Sequence, residues 1–94
     1  MRWFSLSITL VLLALSFGPG VSVANAQSSA CFRLWVERNE IYKANGYCFK
    51  TRRAISYFGN AGCEYDNEAD VPLSRSERAR IARIQAEERE LGCR

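Results

Sequence analysis

The sequence contains no histidine among its 94 residues, and it has only two prolines and one methionine. Histidine is the commonest general base and metal ligand, so its absence excludes Ser-His and Cys-His nucleophile pairs and every His-ligated metal site. We therefore expect a protein that is not an enzyme and that holds no cofactor. The net charge of +3 is too small to indicate nucleic acid as a partner.

A long hydrophobic run is also missing. The apolar stretch at residues 8–17 is about half as long as the ~20 residues that a membrane-spanning helix needs. It follows the positive Arg2 and precedes the helix breaker Gly18-Pro19-Gly20 and the small residues 24–26, which is the order of a secretory signal peptide. We predict cleavage after Ala26, leaving a domain of residues 27–94 that is periplasmic or secreted and not integral to the membrane.

Four cysteines remain after this cleavage: Cys31, Cys48, Cys63 and Cys93. A domain of this size has a marginal core, and disulfides persist in the compartment that an exported chain reaches. Four cysteines allow three connectivities. We favour Cys48–Cys63, which brackets one short helix, and Cys31–Cys93, which joins the two ends of the domain.

Two other uses of these cysteines fit the sequence less well. Structural zinc sites usually present pairs of cysteines two to four residues apart, and the spacings here are far longer. A lipid anchor on Cys31 would leave an odd number of thiols, and Ser28 stands where lipoproteins carry a Leu-like residue. Disulfides are the better prediction.

Apolar spacing and capping residues predict three short helices and no strands. The first covers residues 32–45 and stops at Gly46. The second covers residues 52–58, with Thr51 as its cap and Ala54, Ile55 and Phe58 on its apolar side. The third begins with the capping box Ser74–Glu77 and runs to Leu91, with an apolar stripe at Ile81, Ile84 and Leu91. The predicted fold is an all-α bundle of about three short helices held by two disulfides.

Two polar residues interrupt the apolar face of the first helix. Arg38 lies between Leu34 and Ile41, and Asn39 lies on the neighbouring row. Partly buried polar groups need partners. We expect Arg38 to pair with an acid, for example from the loop at residues 64–70, and Asn39 to bind the backbone of a neighbouring loop.

The acidic loop before the third helix has the spacing of a calcium-binding EF-hand. The residues at ligand positions are Asp66, Glu68, Asp70 and Glu77. The position that needs a glycine carries Val71 instead, followed by Pro72, and a β-branched residue does not take the required backbone conformation. We interpret the segment as a solvated loop before a helix.

Basic and aromatic residues form the candidate binding surface. Lys50, Arg52 and Arg53 are clustered near the start of the second helix, where the helix dipole disfavours cations, and this placement suggests an anionic partner. The full candidate set is Trp35, Lys43, Tyr47, Lys50, Arg52 and Arg53. The carboxylates Glu37 and Glu40 and the arginines of the third helix are interpreted as ordinary surface charge.

The run from Leu34 to Phe49 resembles the signature of the YARHG domain, a small extracellular bacterial family. The matching positions are Leu34, Arg38, Asn39, Ile41, Tyr42, Gly46, Tyr47 and Phe49. Asn45 stands where the naming motif has its histidine. The resemblance implies an extracellular compartment and a helical fold, and it implies no particular activity.

Together these observations predict a non-enzymatic, exported module that binds a cell-envelope component or an exported protein. The alternative is a small disulfide-stapled inhibitor of an exported peptidase or muramidase, because rigid domains of this kind are preorganised for tight binding.

Overall fold

The computed structural model describes residues 23–94. This part of the chain contains three α-helices, α1 (Val23–Ala44), α2 (Arg52–Phe58) and α3 (Arg75–Glu90), with a single 3-10 turn at Glu68–Asp70 before α3. Within these residues the only β pairing is an isolated bridge between Tyr47 and Tyr65. The predicted all-α fold is confirmed. No helix within residues 23–94 is long and apolar enough to cross a membrane.

Helix α1 begins at Val23, well before the predicted start at residue 32. The segment 23–31 contains neither glycine nor proline, so nothing in it stops a helix that extends towards the N-terminus. The side-chain amide of Gln27 donates a hydrogen bond to the carbonyl of Leu91, which joins this extension to the end of α3. The predicted cleavage point after Ala26 therefore lies within α1, whereas the apolar stretch at residues 8–17 is outside the described residues.

The other two helices begin where their capping residues predict. The Thr51 hydroxyl accepts the Ala54 N–H at 3.1 Å. The Ser74 hydroxyl accepts the Glu77 N–H at 3.1 Å, and the Glu77 carboxylate accepts the Ser74 N–H at 2.9 Å, which completes the predicted capping box. Helix α3 ends at Glu90, one residue before the predicted end, with Leu91 as its cap.

The core lies between α1 and α3 and is closed by the loop that precedes α3. Its buried members are Leu34, Ile41, Tyr42, Val71, Ile81 and Ile84. Val71 has the lowest exposure of them, 1%. A loop residue thus completes the core, because two packed helices alone leave the side of their interface open.

Helix α2 contributes little to this core. Ala54 is buried and Phe58 is half-buried, but Ile55, predicted on the apolar side, is 42% exposed. Ala54 and Phe58 are one turn apart and lie on the same face, whereas Ile55 lies one residue further round the helix. The prediction for Ile55 was wrong for this reason.

Both predicted disulfides are present. Cys31 of α1 is bonded to Cys93, just beyond α3, with the Cα atoms 5.5 Å apart. Cys48 and Cys63 are bonded across α2, with the Cα atoms 5.1 Å apart. All four thiols are used, so none is free for a lipid anchor or for zinc.

Gly46 makes the turn that follows α1. Its φ is +87°, a conformation that side chains disfavour, and a Cβ atom here would be 3.3 Å from the Tyr65 ring. The Gly46 carbonyl accepts the N–H groups of Glu64 and Tyr65 at 2.7 and 2.9 Å. The predicted helix-stopping glycine is confirmed, and it also lets the loop after α2 approach the end of α1.

Candidate binding surface

The eight residues that carry the family resemblance mostly build the fold. Leu34, Ile41, Tyr42 and Phe49 are buried, and so is the polar Asn39. Tyr47 joins this interior, since its ring centroid is 5.6 Å from that of Tyr42 and 5.3 Å from that of Phe49. The motif therefore accounts for a stable interior, and a binding surface must be sought elsewhere.

Arg38 pairs with an acid as predicted, but the acid is Glu88 of α3 and not a residue of the loop at residues 64–70. The Arg38 Nε atom is 2.7 Å from Glu88 Oε1, and Nη2 is 3.2 Å from Oε2. Both side chains are mostly buried, with exposures of 21% and 15%. The antiparallel packing of α1 on α3 brings these two residues together, and their separation along the chain gives no sequence signal for it.

Asn39 also has a different partner from the predicted one. Its Nδ2 atom donates to the Trp35 carbonyl at 2.8 Å, within α1 itself. The amide of Asn45 behaves similarly, because it donates to the Ile41 carbonyl at 2.7 Å and also reaches Glu77 Oε2 at 2.8 Å. The residue at the histidine position of the family motif thus ties the end of α1 to the start of α3.

Tyr42 is held in its neutral form. Burial, and then the nearby Glu68 carboxylate, raise the pKa of Tyr42 to about 12. The phenol thus stays neutral to a higher pH than an ordinary tyrosine, as its place in the core requires.

The pKa of Glu77 is lowered from its ordinary value of 4.5 by the Ser74 backbone N–H, then by the Asn45 amide, and then by the Ser74 side chain. A lowered pKa in the folded state gives stability that is present above the ordinary pKa and is lost as the pH falls through the lowered one. We expect the melting temperature of wild type to exceed that of Glu77→Gln by a constant amount at neutral pH. This margin should shrink as the pH falls below 4.5.

Circular dichroism melting of both proteins from pH 7 down to about pH 2 measures this margin. A margin that stays the same at the acid end would show that the Glu77 charge does not contribute.

The fold places the residues of the predicted basic and aromatic surface in different surroundings, so they do not form one surface. Lys50 forms an ion pair with Asp66 at 3.2 Å, an acid that lies close only because the chain folds back. Lys43 is directed to the Gly59 carbonyl at 3.4 Å, and Tyr47 packs against the core. Arg52 is exposed. Of this set, Arg53 and Trp35 are in direct contact.

Arg53 and three aromatic rings form one exposed surface. The guanidinium carbon of Arg53 is 4.0 Å from the centroid of the Trp35 ring and 5.8 Å from that of Phe32. Tyr57 packs its ring edge-on against both, with centroids 5.5 Å from Trp35 and 5.7 Å from Phe32. We call Phe32, Trp35, Arg53 and Tyr57 the aromatic–arginine surface.

Phe32 and Tyr57 were not predicted as site residues, although they are 44% and 53% exposed. Phe32 lies three residues before Trp35 on α1, so the two rings share a face of the helix, and that spacing was visible in the sequence. The position of Tyr57 depends on how α2 packs, which no local pattern gives.

An open groove of about 530 Å³ adjoins this surface. Residues from both ends of the domain line it: Gln27, Ser28, Cys31, Phe32, Trp35, Arg53, Glu88, Gly92, Cys93 and Arg94, with Ala24 at its N-terminal edge. The Cys31–Cys93 disulfide fixes these two ends beside each other. The groove therefore lies between the two disulfide-linked ends of the domain, next to exposed aromatic rings.

The acidic loop has no corresponding cation site. No group of three or more carboxylates or cysteines within residues 23–94 is arranged to hold a metal ion. Asp66 is paired with Lys50, and Glu77 caps α3. Val71, at the position where an EF-hand needs a glycine, is buried with a φ of −66°.

The comparisons with known proteins identify a family. No curated protein and no solved structure matches the chain. The family model described as the YARHG domain matches residues 12–89, which is most of the chain. The matched range includes the core residues, the Gly46 turn and both members of the Arg38–Glu88 pair. The chain belongs to the YARHG domain family.

Proposed function

We propose that this chain is an exported, non-enzymatic binding module of the bacterial cell envelope, and that it binds through the aromatic–arginine surface. The observation that carries the proposal is that the motif residues and the exposed aromatic residues have different roles. The motif residues are used in the interior, whereas Phe32 and Tyr57 keep large aromatic areas exposed beside Arg53. Exposed aromatic residues next to an arginine are typical of the centres of binding interfaces.

Export is supported by the two disulfides and by the signal-peptide pattern of residues 1–26. We expect the protein recovered from the periplasm or medium of an expressing bacterium to begin at Gln27. Intact-mass spectrometry of the exported protein, with and without reduction, measures both the cleavage point and the two bridges. A mass that includes residues 1–26 would contradict the cleavage.

Binding is tested by capture of partners on the immobilised, oxidised protein. Periplasmic extract and purified peptidoglycan are the two sources to test. We expect the triple variant Lys50→Ala/Arg52→Ala/Arg53→Ala to lose at least tenfold in captured partner, because Arg53 provides the cation of the surface and contacts two of its rings.

The matched control is Arg75→Ala/Arg78→Ala/Arg83→Ala on α3. It removes the same number of positive charges, and all three arginines are exposed. Equal losses in the two triple variants would indicate a general charge effect, and equal binding by wild type and the first triple variant would remove this surface from consideration.

An inhibitor of an exported peptidase or muramidase is the second candidate. The disulfide that fixes the groove favours it, because a rigid surface loses little entropy on binding. The test is to capture one such hydrolase from the extract and then measure its activity as this protein is added. Loss of activity in proportion to the added protein would show that the module is an inhibitor.

A further inference from the structure

We propose that Asn45 is a deamidation site that the native fold protects. The contacts of Asn45 and Gly46 keep the amide intact in the folded domain, and opening of the end of α1 allows the amide to be lost. The product does not rebuild the junction between α1 and α3, so the reaction is irreversible for the fold. This inference goes beyond the binding role and does not depend on which partner the aromatic–arginine surface binds.

The sequence places a single asparagine before a glycine. Of the five asparagines in the chain, Asn45 is the one that a glycine follows. The nucleophile in deamidation is the backbone nitrogen of the following residue, and a glycine has no side chain that keeps this nitrogen away from the asparagine side chain. The reaction is therefore expected first at Asn45–Gly46.

The reaction is intramolecular until water enters. The Gly46 nitrogen attacks Cγ of Asn45, a new C–N bond closes a succinimide ring, and the Cγ–Nδ2 bond breaks. Nδ2 leaves as ammonia and takes the proton that the Gly46 nitrogen loses. Water then opens the ring at either carbonyl, which gives aspartate or isoaspartate at position 45 and a mass gain of about 1 Da.

Both reacting groups are hydrogen-bonded in the native structure. Nδ2 of Asn45 donates to the Ile41 carbonyl at 2.7 Å and to Glu77 Oε2 at 2.8 Å, so both of its hydrogens are used. The Gly46 N–H donates to the Lys43 carbonyl at 3.1 Å. Asn45 is also half-buried. Ring closure breaks these hydrogen bonds, so it requires a local opening of the end of α1.

The two partners of the Asn45 amide are both acceptors. A backbone carbonyl and the Glu77 carboxylate face Nδ2, so an N–H group is what fits between them. A carboxylate at position 45 has no proton to donate at neutral pH, and it would stand beside the carboxylate of Glu77. Because like charges repel, the contact that joins the end of α1 to the start of α3 would become a repulsion.

An isoaspartate would also disturb the turn after α1. Its main chain runs through the former side chain and is one carbon atom longer, so Gly46 would be displaced. The Gly46 carbonyl accepts the N–H groups of Glu64 and Tyr65 at 2.7 and 2.9 Å. There is little room for a shift, since even a Cβ atom on Gly46 would be 3.3 Å from the Tyr65 ring. Both products are therefore incompatible with the native junction.

The first test compares the rate of deamidation in the folded and the unfolded protein. The exported, oxidised protein is incubated at mildly alkaline pH with and without a denaturing concentration of urea. Reduction, digestion and mass spectrometry then measure the mass gain of the peptide that contains Asn45. We expect the reaction to be at least tenfold slower in native buffer. Equal rates in the two buffers, or no reaction in urea, would overturn the proposal.

The second test measures the effect of the product on the fold. In Asn45→Asp we expect the folding equilibrium constant from urea unfolding to fall at least tenfold. The matched control is Asn67→Asp, which makes the same exchange of amide for carboxylate at an exposed site. Asn67 Oδ1 accepts the Ala69 N–H at 3.1 Å, and a carboxylate oxygen also accepts it. Equal losses in the two variants would contradict the proposed role of the Glu77 contact.

A double variant checks that repulsion is the cause. Asn45→Asp/Glu77→Gln exchanges the roles of the two side chains, because position 77 then carries the amide and position 45 the carboxylate. Glutamine also serves in a capping box. We expect the folding equilibrium constant to recover at least threefold over Asn45→Asp, and if Asn45→Asp does not fold, recovery of a folded domain is the same result. A double variant no more stable than Asn45→Asp would overturn the proposal.

Discussion

Replacing Cys31 and Cys93 together by serine is expected to lower the free energy of unfolding by about 4 kcal/mol. The bridge closes a loop of 62 residues, so its removal gives the unfolded chain much more conformational freedom. A domain of this size has a total stability of only about 5 kcal/mol. The variant should therefore be close to unfolding at room temperature, with fraying of α1 from α3 at the groove.

Urea unfolding followed by circular dichroism measures this loss. The comparison is Cys48→Ser/Cys63→Ser, whose loop of 15 residues predicts a smaller loss of about 3 kcal/mol. A Cys31/Cys93 variant as stable as wild type would show that the packing of α1 on α3 holds the ends without the bridge.

Glu88→Ala is expected to destabilise the domain by about 2 kcal/mol, the second of the large effects. Removing one partner of a fully buried ion pair costs about 3–5 kcal/mol, since the other charge is left without compensation. Here the side chains of Arg38 and Glu88 are 21% and 15% exposed, so water partly solvates the charge of Arg38 that is left unpaired. Arg38→Ala should have a similar effect, because it leaves the Glu88 carboxylate unpaired.

The double variant Arg38→Met/Glu88→Met is the decisive control. Replacing both members of a buried pair by apolar residues is often neutral, so most of the lost stability should return. If the double variant loses as much stability as the single variants Arg38→Met and Glu88→Met together, the two side chains are not coupled, and Arg38 contributes to the fold only through the packing of its aliphatic stem.

The sequence predicted best what is determined within a few residues. Thr51 and the Ser74–Glu77 capping box accept N–H groups three residues away, so the chemistry that suggested these caps also forms them. Gly46 was predictable because the end of a helix needs a positive φ there. The disulfides were predictable because few pairings were possible and one of them joined the two ends of the domain.

The partners of polar residues were not predictable in this way. Arg38 and Glu88 are 50 residues apart, and they meet only because α1 and α3 pack antiparallel. The Asn39 amide donates to the Trp35 carbonyl one turn back in its own helix, because this acceptor is closer than any loop carbonyl. The aromatic–arginine surface likewise needs α2 to place Tyr57 and Arg53 against α1. The sequence suggested Arg53 and Trp35, and the spacing of Phe32 was visible in it, but nothing local indicated Tyr57.

The Cys31–Cys93 bridge has a further consequence for how the domain can be joined to others. The Cα atoms of Cys31 and Cys93 are 5.5 Å apart, about the spacing of neighbouring strands in a sheet. The segment from Cys31 to Cys93 could therefore be grafted into a single surface loop of another protein without separating the two sides of that loop.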